Sequence, residues 1–169
     1  IPLAVGAGMA AKYLETDDIA VAMFGDGAVE EGEFWESMNF ACLHGLRVLF
    51  VCEDNDIAVN TFGSNRKCLK SIPKALEGFD CHVLEGDGTD VRVVIDVVTK
   101  GLDLMKEDPK PVFTYFKWFR FLEHVGPNTD FHVGYRSKPS DAELLNLDPV
   151  YKYEQYLLSN GFDTNRLQA

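Results

Sequence analysis

The sequence is short of most features that mark a membrane-spanning, disulfide-stapled or nucleic-acid-binding protein. No run of about 18 apolar residues occurs, so no segment reads as a membrane-crossing helix. Basic residues are scarce: 16 Lys and Arg stand against 27 Asp and Glu, a net charge of −11. A reader of phosphate backbones needs a positive surface, which removes nucleic acid as the expected partner. Cysteine is limited to Cys42, Cys52, Cys68 and Cys81, and none forms the close pair of a zinc site. A chain of this length needs no disulfide staples. Cys42 and Cys52 lie in apolar segments and read as small core residues, which suits a reducing, cytoplasmic setting. No basic residue precedes the small-residue stretch at the start, so no secretory signal is expected there. No methionine precedes Ile1, and the expectation is a piece of a longer chain. What remains, 169 residues of which 46% are apolar and 25% charged, is ordinary globular composition and predicts one domain over 1–169.

Helical and strand periods alternate along it. Ala4 to Leu14 is alanine-rich and predicts a helix despite Gly6 and Gly8. Ile19 to Phe24 is a short apolar run, suited to a strand buried on both faces, and ends at Gly25-Asp26-Gly27. From Val29 to His44 the apolar residues Phe34, Met38, Ala41 and Cys42 recur at helical spacing, with Gly45 as the stop. Arg47 to Cys52 is again a short β-branched and aromatic run. Strand, helix, strand is the crossover unit of a parallel sheet. Asn60 to Ser71 reads as a long polar loop, Pro73 as the start of a short helix, and Cys81 to Leu84 as a strand. Val91 to Met105 keeps a helical period, although its valines also allow a strand. Pro111 to Phe119 predicts a strand, His124 to Lys138 irregular chain, and Asp148-Pro149 the start of a helix that Gly161 closes. The fold class is therefore α/β, a doubly wound and mostly parallel sheet in three layers.

Two glycine motifs compete as a cofactor site. Gly6-Ala-Gly8-Met-Ala-Ala11 fits the G-x-G-x-x-A dinucleotide fingerprint, with Asp26 near the end of the next strand. Its weakness is the lack of a clear preceding strand; small residues packing a helix against a sheet are the competing explanation. The second motif, Gly25-Asp26-Gly27-Ala28, is separated from Asn55 by the 27 residues that follow Gly27. A Gly-Asp-Gly triplet alone is a common turn, and it recurs at Gly86 to Gly88. The same interval from Gly88 ends on Phe116, which offers no ligand. From Gly27 it crosses one helix and one strand, placing Asp26 and Asn55 at the carboxyl ends of neighbouring parallel strands, where open α/β sheets bind ligands. A carboxylate and an amide oxygen there suit magnesium, while glycines and a helix start beside them suit phosphate oxygens.

Gly-Asp-Gly, about thirty residues, then Asn resembles the thiamine-diphosphate signature. The run Phe24-Gly-Asp-Gly-Ala-Val-Glu-Glu-Gly-Glu-Phe-Trp-Glu-Ser-Met-Asn39 is similar to the alpha subunit of 2-oxo acid dehydrogenases, the decarboxylating component of pyruvate, branched-chain and acetoin dehydrogenase complexes. The likeness continues through Cys52 to Thr61 and returns at Arg120-Phe-Leu-Glu-His124, Gly134-Tyr135-Arg136 and Gly161-Phe-Asp-Thr164. It implies a thiamine-diphosphate-binding fold, here partial. It implies Mg2+ held by Asp26, the Asn55 side chain and the backbone carbonyl of Ile57, and thiamine diphosphate cradled by Gly25, Gly27 and Ala28. His124 would face the cofactor as a catalytic residue on a loop that Arg120 braces. The partner implied is a beta-type subunit that completes the active site in an alpha2beta2 heterotetramer, with a lipoyl acyltransferase as a further partner. His44, His82 and His132 lack such context and read as structural or solvated, Glu36 as solvent-facing or interfacial, and Asp87 as part of a plain strand-to-helix turn. Asp54 stands where many relatives carry a second asparagine, read as a neutral change. Val125 stands where mitochondrial relatives carry a regulatory serine, so that phosphorylation is not expected and a bacterial-type enzyme is. The family's additional N-terminal part, with its aromatic-Arg pair for the diphosphate, lies outside this sequence.

Three other readings stay open on the sequence. One is the N-terminal half of a transketolase-like enzyme, another a nicotinamide-binding domain using Gly6, Gly8 and Ala11, and the last a non-catalytic assembly subunit.

Overall fold

The computed structural model describes residues 1–163; Thr164, the end of the last matching motif, lies outside the described residues. The chain opens with α1 (Pro2–Tyr13), whose Pro2 occupies the first turn, where its missing N–H costs nothing. β1 (Ala20–Gly25) runs into a single 3-10 turn over Asp26–Glu30 and then α2 (Gly32–Leu43). β2 (Val48–Asp54) follows, then a small hairpin of β3 (Ile57–Ala58) and β4 (Thr61–Phe62) and the short α3 (Ile72–Leu76). β5 (His82–Asp87), α4 (Val91–Glu107), β6 (Val112–Lys117), α5 (Asp141–Leu147) and α6 (Pro149–Ser159) complete it.

β1, β2, β6 and β5 form one parallel sheet in that order, as the crossover arithmetic predicted. Alternation along β2 sorts its side chains between two layers. Val48, Phe50 and Cys52 face a core shared with Val5 of α1, Phe34, Met38 and Ala41 of α2, and Leu76 of α3. Leu49 and Val51 face the other way, toward Val94, Val98, Leu102 and Met105 of α4. The helical period of α4 overrides its valine content, because that spacing lays the apolar stripe along the sheet. Burial pushes the Cys52 thiol well above its ordinary pKa, as befits a core residue. β1 is an edge strand, and on the α4 side its Val21 and Met23 remain 52% and 66% exposed.

Gly6 and Gly8 lie inside α1 rather than at a strand-to-helix junction. A Cβ on Gly8 would meet Val48 Cγ2 at 2.7 Å, so this glycine lets the helix approach the sheet. Packing accounts for Gly8, and no strand-to-helix turn is formed by Gly6 to Ala11 to hold a dinucleotide. Two elements went unread in the sequence. The β3–β4 hairpin overlaps the start of the expected polar loop from Asn60 to Ser71, with Asp56 and Val59 at positive φ (64° and 53°). α5 is announced by the capping box Ser140-Asp-Ala-Glu143, both of whose hydrogen bonds are present.

Candidate functional site

Gly25 at the end of β1 pairs in register with Glu53 of β2, so Asp26 and Asn55 leave the sheet from adjacent strands. Such strands run about 4.8 Å apart, which keeps both residues at one rim. The 3-10 turn begins at Asp26, and Val29 at its centre is buried. Gly27 faces the hairpin: a Cβ there would meet Ala58 Cβ at 2.9 Å. The glycine thus lets β3, carrying Ile57, press against the turn that carries Asp26.

The Asp26 carboxylate is only 2% exposed and is met by two cations from the long polar loop. Arg66 Nη2 donates to Asp26 Oδ2 at 2.6 Å, and Lys67 Nζ lies 3.4 Å from the same oxygen. Arg66 also donates to Glu30 and, through Nε, to the Thr61 carbonyl at 2.8 Å. Burial works against the Arg66 charge, but Asp26 and Glu30 hold its pKa above the ordinary value. The loop is folded for this purpose: the Arg66 and Lys67 amides both donate to the Gly63 carbonyl, and a Cβ on Gly63 would collide with Lys67 Cε and the Asp56 carboxylate. Arg66 and Lys67 were missed in the sequence; a basic pair in a polar loop carries no periodic signal.

Asp54, at the end of β2, is buried. It accepts the Asp56 N–H at 2.6 Å and the Tyr115 hydroxyl, and Lys67 Nζ lies 3.9 Å away. Burial, together with the bond to Asp54, pushes the Tyr115 phenol above its ordinary range. Asn55 is half-buried, and its Oδ1 accepts the Ile57 N–H at 3.0 Å.

Asp26 and Asn55 line different cavities. Asp26 shares one of about 260 Å³ with Glu30, Trp35, Arg66, Lys67 and Ile72. Asn55 and Ile57 share one of about 490 Å³ with Phe62, Phe119, Arg120, Tyr135 and Arg136. The segment after β6 therefore reaches the site through its buried base. There, Asp130 binds Arg120 Nη2 at 3.0 Å, Arg136 Nε at 2.7 Å and the Tyr135 hydroxyl. Hydrogen bonds from Tyr135 and Arg136 outweigh burial and hold the Asp130 carboxyl below its usual range. Arg120 Nη1 also donates to the carbonyl of Val59, the β-branched residue at positive φ, and so ties this segment to the hairpin. Arg120 Nε is buried without an acceptor. His124 is exposed on a tight loop closed by Glu123 and Asn128, whose N–H groups meet each other's carbonyl and carboxylate oxygens. It lines neither cavity.

The other flagged residues line neither of these cavities. Asp87 binds the Thr89 amide and hydroxyl at 2.8 and 2.6 Å and receives Lys152, a plain turn before α4. His82 lies beside Asp108, His44 packs against Phe40 with tilted rings whose centroids are 4.3 Å apart, and Glu36 is exposed on α2.

The donor chemistry at the rim fits a hard cation. Among the described residues no three His, Cys, Asp or Glu side chains gather as a metal cluster. The candidate set instead combines one carboxylate (Asp26), one amide oxygen (Asn55) and one backbone carbonyl (Ile57). Such a set leaves room for the waters and phosphates that magnesium retains. The buried Asp26 oxygen already draws two positive charges, and Arg120 Nε offers a donor that an anionic group could satisfy.

Comparison with known proteins finds relatives along the length of the chain. The sequence profile of the dehydrogenase E1 component family matches residues 1–168. The pyruvate dehydrogenase E1 component subunit alpha of Rickettsia typhi is 28% identical over 164 residues, covering 97% of this chain and 49% of that protein. The 3-methyl-2-oxobutanoate dehydrogenase subunit alpha of Mycobacterium tuberculosis is 30% identical over 167 residues, covering 98% and 44% respectively. This chain thus spans about half the length of the curated relatives it matches. The fold is shared with the transketolase of Campylobacter jejuni, at a TM-score of 0.58 and 25% identity over 68% of this chain and 18% of that one. With nearly every residue inside one family profile, the chain belongs to the dehydrogenase E1 component family.

Proposed function

We propose that this chain is the metal- and diphosphate-binding portion of an alpha-type subunit of a thiamine-diphosphate-dependent 2-oxo acid dehydrogenase. The observation that carries the reading is the placement of Asp26 and Asn55 at the ends of neighbouring parallel strands, inside a chain that matches one family throughout. Asp26, the Asn55 side chain and the Ile57 carbonyl would hold Mg2+. Gly25, Gly27 and Ala28 would line the diphosphate, with the turn at Asp26 presenting backbone amides. Thiamine diphosphate, when bound, supplies the electron sink for loss of carbon dioxide from a 2-oxo acid, ahead of acyl transfer to a lipoyl group.

The residues of this chain position and shield. Arg120, Asp130, Tyr135 and Arg136 fix the base of the segment that bears His124. That histidine would face the diphosphate from the loop at the mouth of the site. A beta-type partner would complete the site in a heterotetramer, and a lipoyl acyltransferase would take the product. Relatives named for pyruvate and for a branched-chain acid match about equally well, so the substrate class proposed is a short 2-oxo acid. In the full chain assembled with its partner, Asn55→Ala is expected to lower decarboxylation of pyruvate or 3-methyl-2-oxobutanoate by about 100-fold or more, because a metal ligand is lost. The circular dichroism spectrum should not change. Full activity in that variant contradicts the metal assignment.

A further inference from the structure

Asp26 and Asn55 sit at one rim, yet in this structure each is satisfied by its own neighbours. Asn55 Oδ1 takes the Ile57 amide, and Asp26 takes Arg66 and Lys67. Three carboxylates face those two cations: Asp26 and Asp54 are buried, and Glu30 lies at the exposed margin. The cluster therefore keeps an excess of negative charge even with both cations in place. Asp56 adds to it, since a Cβ on Gly63 would touch both its carboxylate and Lys67. Lys67 sits between Asp26 and Asp54, and no acceptor other than those two carboxylates lies within ion-pair reach of its Nζ among the described residues.

We propose that Arg66 and Lys67 are exchangeable counter-ions that hold the Asp26 carboxylate in the metal-free protein and give it up when a divalent cation binds. The inference rests on the reading of Asp26 as a metal ligand. Two monovalent charges leave Asp26 as one divalent charge arrives, so the exchange is electrically even at a buried carboxylate, where an uncompensated charge would be costly. The released side chains retain acceptors: Glu30 and Thr61 for Arg66, Asp54 for Lys67. A diphosphate arriving with the metal adds anionic oxygens beside them. Metal affinity is then set partly by the loop, because any group bound to Asp26 in the free state competes with the ion.

The test uses the full chain assembled with its partner subunit, without thiamine diphosphate. Mn2+ binding is followed by loss of the free-ion electron paramagnetic resonance signal. Lys67→Met keeps most of the side-chain volume and removes the charge. It is expected to bind Mn2+ at least about fivefold more tightly than the wild type, the lower end of ordinary coupling, while its metal-free melting temperature falls. Lys67→Arg should restore wild-type affinity and stability. A merely structural lysine would lower the melting temperature without tightening the metal. Unchanged or weaker Mn2+ binding in Lys67→Met, or no detectable Mn2+ on either protein, overturns the exchange. If Asp26→Asn meanwhile abolishes binding, the metal assignment still stands. Mn2+ binding indifferent to Asp26→Asn overturns that assignment and the exchange together. A second measurement needs no variant: Mg2+ alone should speed hydrogen exchange at the Arg66 and Lys67 amides in the wild type, and unchanged or slower exchange counts against the proposal.

Discussion

Gly6 and Gly8 stand two residues apart in one helix and ask opposite things of a side chain. Nothing lies within 4 Å of a Cβ placed on Gly6, whereas one on Gly8 meets Val48 Cγ2 at 2.7 Å. Gly6→Ala is therefore expected to stabilise the full chain by about 0.5–1 kcal/mol through helix propensity. Gly8→Ala gains the same propensity but overpacks the helix–sheet contact, which costs about 1–3 kcal/mol. Melting temperatures of the two variants should shift in opposite directions; equal shifts contradict the packing role. Residue spacing made Asp26 and Asn55 legible, because strand, helix and strand between them are local periods that fix where the chain returns to the rim. Arg66 was not legible. It reaches Asp26 across 40 positions, and no period or turn chemistry encodes that pairing. The partners of Asp54 were not legible for a similar reason: Tyr115 lies 61 positions away, and nothing local encodes that bond.

Among the elements, the segment from Trp118 to Ser137 has little regular structure and is held by one buried knot. Asp130→Ala leaves Arg120 and Arg136 buried without their shared carboxylate, a loss of about 3–5 kcal/mol for a broken buried pair. The effect should be local. Hydrogen exchange is expected to quicken over residues 118–137 while the amides of β2 and β6 stay protected; uniform loosening of the sheet contradicts this. The pH dependence follows from the depressed Asp130 pKa. Its stabilisation is fully present above the ordinary carboxylate value of about 3.9 and is lost as pH falls through the lower folded value. The segment should therefore open in acid before the sheet does, and no comparable loss should appear between pH 5 and 8. The long elements of the chain could be read from apolar period and caps. α5 carried its signal in Ser140 and Glu143, but seven residues beside an irregular stretch offered too little periodicity to stand out. The β3–β4 hairpin could not be read at all, since its strands are two residues each and Val59 adopts a backbone conformation that its side chain disfavours.

For the whole molecule, the sheet sets the function by bringing two strand ends to one rim and leaving the loops to furnish charge. Three-layer α/β packing was legible because both faces of β2 and β6 must be apolar when helices cover each side. The rim itself was legible only as a location. Its local arrangement, with Asp26 and Asn55 lining separate cavities beside partners from the loops, depends on contacts that no sequence period records. The most direct measurement is an anomalous difference map from crystals of the full chain with its partner, Mn2+ and thiamine diphosphate. One manganese peak is expected within coordination distance, about 2.0–2.2 Å, of an Asp26 carboxylate oxygen, Asn55 Oδ1 and the Ile57 carbonyl. A diphosphate should complete its shell, and Arg66 and Lys67 should have withdrawn from Asp26. A peak elsewhere, or Asp26 still paired with Arg66 while the cofactor is bound, contradicts it.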